Sequence, residues 1–148
     1  MRTNTCFSIL VAACFAAWCA TIIAAHDPAQ HQEGAHHHPQ AAKLQNPVPA
    51  TDESIAAGRA IYVKRCAECH GDHGKGDGDM ADMSNPKPAD LSDADWKHGS
   101  TDGEIFTVVR DGVKNTDMKP FGTKLTTHQL WDVVNFVRSL GPKAGTPH

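Results

Sequence analysis

An all-α fold is expected from this sequence of 148 residues, and three observations carry that expectation. No segment shows the strict polar–apolar alternation of a half-buried strand. Three segments place apolar residues at spacings of three and four between recognisable start and stop signals. The long intervening segment 71–92 is rich in glycine, proline and aspartate and nearly devoid of apolar side chains. A loop of that length inside a compact domain implies that something other than protein holds it. The expected architecture is three main helices and long loops wrapped around one bound group.

The first 25 residues read as an export signal. Arg2 gives a positive start, the run from Cys6 to Ile23 is apolar, and Ala24 and Ala25 supply small residues before a polar stretch. Cleavage is expected after Ala25. The same run approaches the ~18–20 residues that span a bilayer, so an uncleaved N-terminal membrane anchor is the alternative. Cys14 ends a loose match to a lipoprotein box, but the apolar run continues past it. Residues 26–50 are His-, Pro- and Gln-rich and are expected to form a flexible linker. Its histidines (His26, His31, His36, His37 and His38) are read as part of a solvated tether, with loose metal binding as the rival reading. Residues 51–142 form the domain, and 143–148 a disordered tail.

Within the domain, Asp52 and Glu53 open the first helix, where acids suit the positive end of the helix dipole. Ile55, Ala56, Ile61, Tyr62 and Val63 make a rough apolar stripe. Gly58 costs about 1 kcal/mol against alanine in a helix interior, which marks it as a point where another helix crosses closely. In the second helix Thr101 and Glu104 form a capping box, Ile105, Phe106, Val108 and Val109 are expected to be buried, and Gly112 stops it. The last helix starts at a second capping box, Thr126 and Gln129. It carries Leu130, Val133, Val134, Val137 and Leu140 on one face, and is expected to end in a left-handed cap at Gly141 before Pro142. A helical turn is also expected around 92–99.

The formal net charge is −3. Neither a nucleic-acid-binding stripe nor an acidic tail follows from that balance. Of five cysteines, Cys6, Cys14 and Cys19 lie in the leader, leaving Cys66 and Cys69 with His70 directly after. C-x-x-C-H is the attachment signature of c-type haem. Two thiols at that spacing add to the two vinyl groups of one porphyrin edge, and the adjacent imidazole binds the iron. A Cys66–Cys69 disulfide is the rival reading in an oxidising compartment. A zinc site lacks a second pair of ligands. Candidate sixth ligands are Met80, Met83, Met118, His73, His98 and His128. Met80 and Met83 follow His70 by only ten and thirteen residues, whereas Met118 lies 48 residues on in a proline-stiffened loop able to cross to the far face. Met118 is favoured.

The segments AAGRAIYVKRCAECHGDHGKGDGD, NPKPADL, STDGEIFTVVRDG, MKPF and LTTHQLWDVVNFVRSLG, in this order, resemble the class I monohaem cytochromes c over about residues 52–141. The resemblance implies the cytochrome c fold, one covalent haem c with its iron, thioethers at Cys66 and Cys69, and axial ligands His70 and Met118. It also implies near-perpendicular crossing of the terminal helices, with Gly58 facing Trp131 or Phe136. A proline carbonyl, of Pro86 or Pro88, is expected to hold the other nitrogen of His70. Gly71, Gly74, Gly76 and Gly78 would turn the chain tightly beside the porphyrin edge. The implied function is one-electron transfer between redox partner proteins outside the cytoplasm by a monomer, with no enzyme activity, no nucleic acid, and a membrane only if the leader stays. A subunit that brings electrons into a larger oxidoreductase, and a haem peroxidase or gas-binding domain whose Met118 dissociates, are the alternatives. Residues 71–102 carry eight acids against three lysines, and 110–124 four basic residues against two acids. Lys114, Lys119 and Lys124 are therefore expected to face an acidic partner.

Overall fold

A computed structural model describes residues 39–93 and 95–141. The expected leader, the linker up to residue 38 and the tail lie outside the described residues. The described residues form four α-helices: α1 (Asp52–Arg65), α2 (Ala67–His70), α3 (Asp102–Asp111) and α4 (Thr127–Leu140). Short 3-10 turns form at Ala41–Lys43 and Ala81–Met83, and no strand occurs among the described residues. Where a helical turn was expected around 92–99, the described residues show bends at 92–93 and a turn at 97–98.

Local chemistry starts each long helix. Thr51 Oγ1 accepts from Ser54 N (3.3 Å) at the head of α1. Both expected capping boxes form, Thr101 with Glu104 and Thr126 with Gln129, so the first turns of α3 and α4 satisfy donors that have no partner within the helix. Gly112 ends α3 at φ 71°, where an L side chain is strained. Gly141 departs from expectation: its φ of −81° and ψ of 177° are extended, not left-handed. The end of α4 is closed by tertiary contact instead, with Leu140 and Leu91 crowding Gly74.

α4 is the centre of the molecule, not an amphipathic surface helix. Leu130, Trp131, Asp132, Val133, Val134, Asn135, Phe136 and Val137 are all buried. Its close neighbour is α1, and Gly58 is the reason for the approach. A β-carbon on Gly58 would meet the main-chain oxygen of Asp132 and lie 2.9 Å from Phe136 Cβ. Of the two expected partners it is therefore Phe136 that faces Gly58, while Trp131 stacks on Phe106 of α3 (centroids 4.1 Å apart). The α1 stripe is likewise redistributed. Ser54, Gly58 and Tyr62 are buried, Ile55 and Ile61 are half-buried, and Ala56 and Val63 face solvent. Val108 of α3 is half-buried.

Polar groups fasten the segment before α1. Asn135 Nδ2 donates to Ser54 Oγ (2.9 Å), Val48 O (3.1 Å) and Pro49 O (3.3 Å), and its Oδ1 accepts from Asn46 (2.7 Å). Ser54 Oγ donates to Asp132 (2.6 Å). Ala41 is 6% exposed, and its carbonyl and Leu44 cover Gly103 of α3. The stretch 41–50, expected as the end of a linker, thus packs on the helices.

Candidate functional site

The Cys66–His70 motif sits where α1 breaks. Cys66 leaves helical geometry (φ −124°, ψ −35°), and the chain re-enters a single helical turn, α2, that ends on His70. The break places Cys66 at the junction and Cys69 within α2. Both thiols are unpaired and half-buried, so no disulfide links them. Burial, and secondarily Cys69, push the Cys66 thiol up to about 11, which keeps it protonated at neutral pH.

His70 is oriented by one bond. Its Nδ1 lies 3.1 Å from the carbonyl oxygen of Ala89, leaving Nε2 as the nitrogen for a metal. This corrects the expectation that Pro86 or Pro88 supplies the carbonyl. The oxygen of Pro88 is turned toward Gly76, where a β-carbon would strike it. The next carbonyl along the chain, that of Ala89, is the one that faces the ring. Burial lowers the His70 pKa and the Ala89 bond works weakly against it; the outcome is a neutral imidazole, the form that ligates iron.

The long glycine-rich loop is anchored on this motif by its own backbone. Gly76 N donates to His70 O (2.9 Å), Gly78 N to Cys69 O (3.2 Å) and Met80 N to Glu68 O (2.8 Å). These bonds use the carbonyls that α2 leaves open. Gly71, at φ 75°, makes the reversal possible directly after His70. Tyr62, 1% exposed, locks the same turn from α1 by donating its hydroxyl to Gly71 O (2.8 Å). Burial first, then the neighbouring Cys66, Asp72 and Asp77, raises the Tyr62 pKa and keeps the phenol protonated.

Met118 is carried by a loop pinned to the end of α3. Val113 N donates to Met118 O (3.0 Å), Phe121 N to Val109 O (3.1 Å) and Gly122 N to Arg110 O (2.9 Å). Met118 N donates to Thr116 Oγ1 (3.1 Å), and Asn115 takes φ 62° at the turn. The thioether side chain is partly buried on the same core cluster that Cys66 joins. Asn85 N donates to Asp117 (3.2 Å), joining the Met118 loop to the 71–92 loop. Four of the five rival ligands, Met80, Met83, His73 and His128, are exposed. Met83 is 68% exposed and the His128 side chain 71% exposed, beside Asp132 at the start of α4. His73 is exposed and His98 half-buried.

The donor set fits a covalently attached haem. Two unpaired thiols at the attachment spacing, an imidazole with one nitrogen fixed by a carbonyl, and a half-buried thioether are the groups such a cofactor takes. Among the described residues no cluster of three or more His, Cys, Asp or Glu that could hold a bare ion occurs. Sequence reasoning missed Ala89 and Tyr62. A main-chain carbonyl has no side-chain signature, whereas Tyr62, the only tyrosine in the chain, stands one helical turn before Cys66 and was legible.

The cytochrome c family model matches residues 55–141. A cbb3-type cytochrome c oxidase subunit FixP of Sinorhizobium medicae is 29% identical over 103 residues, covering 64% of this chain and 33% of that protein. Subunit FixPc of Rhizobium leguminosarum is 34% identical over 92 residues, covering 62% and 30%. The chain thus spans about a third of the length of the curated relatives it matches. Among solved structures, a chain of the reducing HAO-like protein complex of Kuenenia stuttgartiensis superposes with a TM-score of 0.63 at 28% identity, covering 68% of this chain and 49% of that one. Cytochrome cL of Methylophaga aminisulfidivorans gives 0.50 at 26% identity, covering 65% and 57%.

Proposed function

This chain belongs to the cytochrome c family, with covalent haem c and electron transfer as its business, and from that premise we propose that Cys66, Cys69, His70 and Met118 hold the cofactor and that the chain shuttles single electrons between redox proteins outside the cytoplasm. Haem c supplies a one-electron ferric/ferrous couple. The two cysteines fix it covalently, His70 presents Nε2 in an orientation held by Ala89, and Met118 offers a soft thioether that favours the ferrous state and a raised potential. With His70 and Met118 both holding iron, no position would remain for a small-molecule substrate, which favours a carrier over an enzyme. Backbone clamps at both ends, the 74–80 loop on α2 and the 113–122 loop on α3, keep the ligand side chains in place when the charge changes. The observation that carries this reading is the His70–Ala89 bond beside two unpaired thiols.

A visible spectrum tests it. Low-spin iron in both oxidation states is expected, and Met118→Ala should open the iron to carbon monoxide and lower the potential. An unchanged spectrum in that variant shows that another residue is the sixth ligand, and high-spin ferric iron in the unaltered protein supports the gas-binding or peroxidase alternative. A second reading is favoured by the relatives, which are oxidase subunits: the chain is the electron-entry component of a larger complex. Co-purification of a stoichiometric partner distinguishes that case.

A further inference from the structure

The Ala81–Met83 turn packs on α2 and presents two thioethers to solvent, Met83 at 68% and Met80 at 36% exposure. Single exposed apolar residues need no explanation. These two are neighbours, on one turn, against the cysteine motif: Met80 N is bonded to Glu68 O (2.8 Å), and Ser84 Oγ lies 4.0 Å from Cys69 Sγ. Methionine is flexible and polarizable, which suits a contact that must fit more than one surface. The surrounding charge is predominantly negative. From Cys66 to Met83 there are five acids and one lysine, and Glu68, Asp79 and Asp82 are all exposed. The Lys87–Asp82 pair at 3.6 Å is exposed on both sides (65% and 96%), and a pair of that kind is worth little and opens readily.

The lysine-bearing loop makes a weaker case than its sequence implied. Lys119 lies 3.7 Å from Asp117 and 3.4 Å from Thr116 O, and Lys124 sits over the Phe121 ring at 5.3 Å. The Lys119–Asp117 pair is itself exposed (65% and 55%) and of the same loose kind as Lys87–Asp82, so of the three cations only Lys124 is held by more than a surface ion pair.

Resting on the electron-transfer reading above, we propose that Met80 and Met83, rimmed by Glu68, Asp79 and Asp82, form the docking surface for a redox protein whose own contact has an apolar centre and a lysine- or arginine-rich rim. Transient redox complexes bury little area, so a two-residue apolar contact with charge steering suffices for encounter. The surface lies against the segment that bears both cysteines, which puts the partner beside the attached group.

The test is voltammetry of the holoprotein on gold coated with mixed ammonium- and methyl-terminated thiols, compared with carboxylate-terminated thiols. Exchange is expected to be about tenfold faster on the ammonium/methyl surface at low salt, the lower end of what steering provides. Met83→Gln should slow it with the visible spectrum unchanged, and Asp79→Asn with Asp82→Asn should flatten its salt dependence. Faster exchange on carboxylate, abolished by Lys114→Gln, Lys119→Gln and Lys124→Gln together, overturns the proposal and moves docking to the Met118 loop. So does unaltered exchange in the methionine and aspartate variants. A protein with no reversible wave on either surface sinks the electron-transfer reading itself, and this proposal with it.

Discussion

Replacing Gly58 by alanine sets two effects of opposite sign against each other. Alanine is the better helix former by about 1 kcal/mol, which stabilises α1. Its β-carbon, however, would meet the main-chain oxygen of Asp132 and stand 2.9 Å from Phe136 Cβ. A backbone oxygen inside a helix cannot rotate aside, so α1 and α4 must separate. Overpacking costs about 1–3 kcal/mol, and a rigid obstacle belongs at the upper end. The separation also loosens Tyr62 on Phe136, whose rings stand 4.9 Å apart. The net expectation is a loss of about 2 kcal/mol, or roughly 8–16 °C in melting temperature for a domain of this size. Thermal unfolding of the holoprotein followed by circular dichroism measures it. A melting temperature equal to or above that of the unaltered protein means that helix propensity wins, and that the α1–α4 crossing does not depend on the missing side chain.

Other outcomes follow from the same geometry. Asn135→Ala strands the Val48 and Pro49 carbonyls and the Ser54–Asp132 pair, so it should cost about 1–3 kcal/mol and speed amide exchange in 41–50; protection factors there test the attachment of that segment. Tyr62 is buried protonated, with its pKa raised in the fold, so its contribution is complete below the unfolded value near pH 10 and fades as pH rises through the folded value. Tyr62→Phe should therefore show a smaller loss of stability between neutral and alkaline pH, and equal slopes in the two proteins would contradict the burial argument. Cys66→Ala with Cys69→Ala should yield little holoprotein, and the chain without haem should be largely unfolded by circular dichroism. A stably helical apoprotein would show that α4 and its neighbours suffice as a core.

Signals confined to a few consecutive residues were readable directly. The two capping boxes, the stop at Gly112 and the Cys66–Cys69–His70 motif each depend on chemistry within one turn of chain. Apolar periodicity located α3 and α4 but understated the burial of α4. Asp132 and Asn135 look like solvent-facing positions, yet they are 4% exposed each because their partners come from Ser54 and the 46–49 segment. Gly141 illustrates the opposite failure. A glycine–proline pair after a helix signals a left-handed cap, but contacts with the 71–92 loop shape that end and the chain leaves extended.

What the sequence determined by itself was the family and the inventory: the C-x-x-C-H motif with a methionine-bearing loop 48 residues on, in a helical chain. Only the tertiary structure decided which main-chain oxygen steadies His70, which helix fills the space beside Gly58, and that 41–50 lies on the domain. Each of those depends on backbone groups or on segments tens of residues apart. A carbonyl at Ala89 carries no mark in the sequence of which way it points; in the fold it faces His70, while that of Pro88 turns toward Gly76.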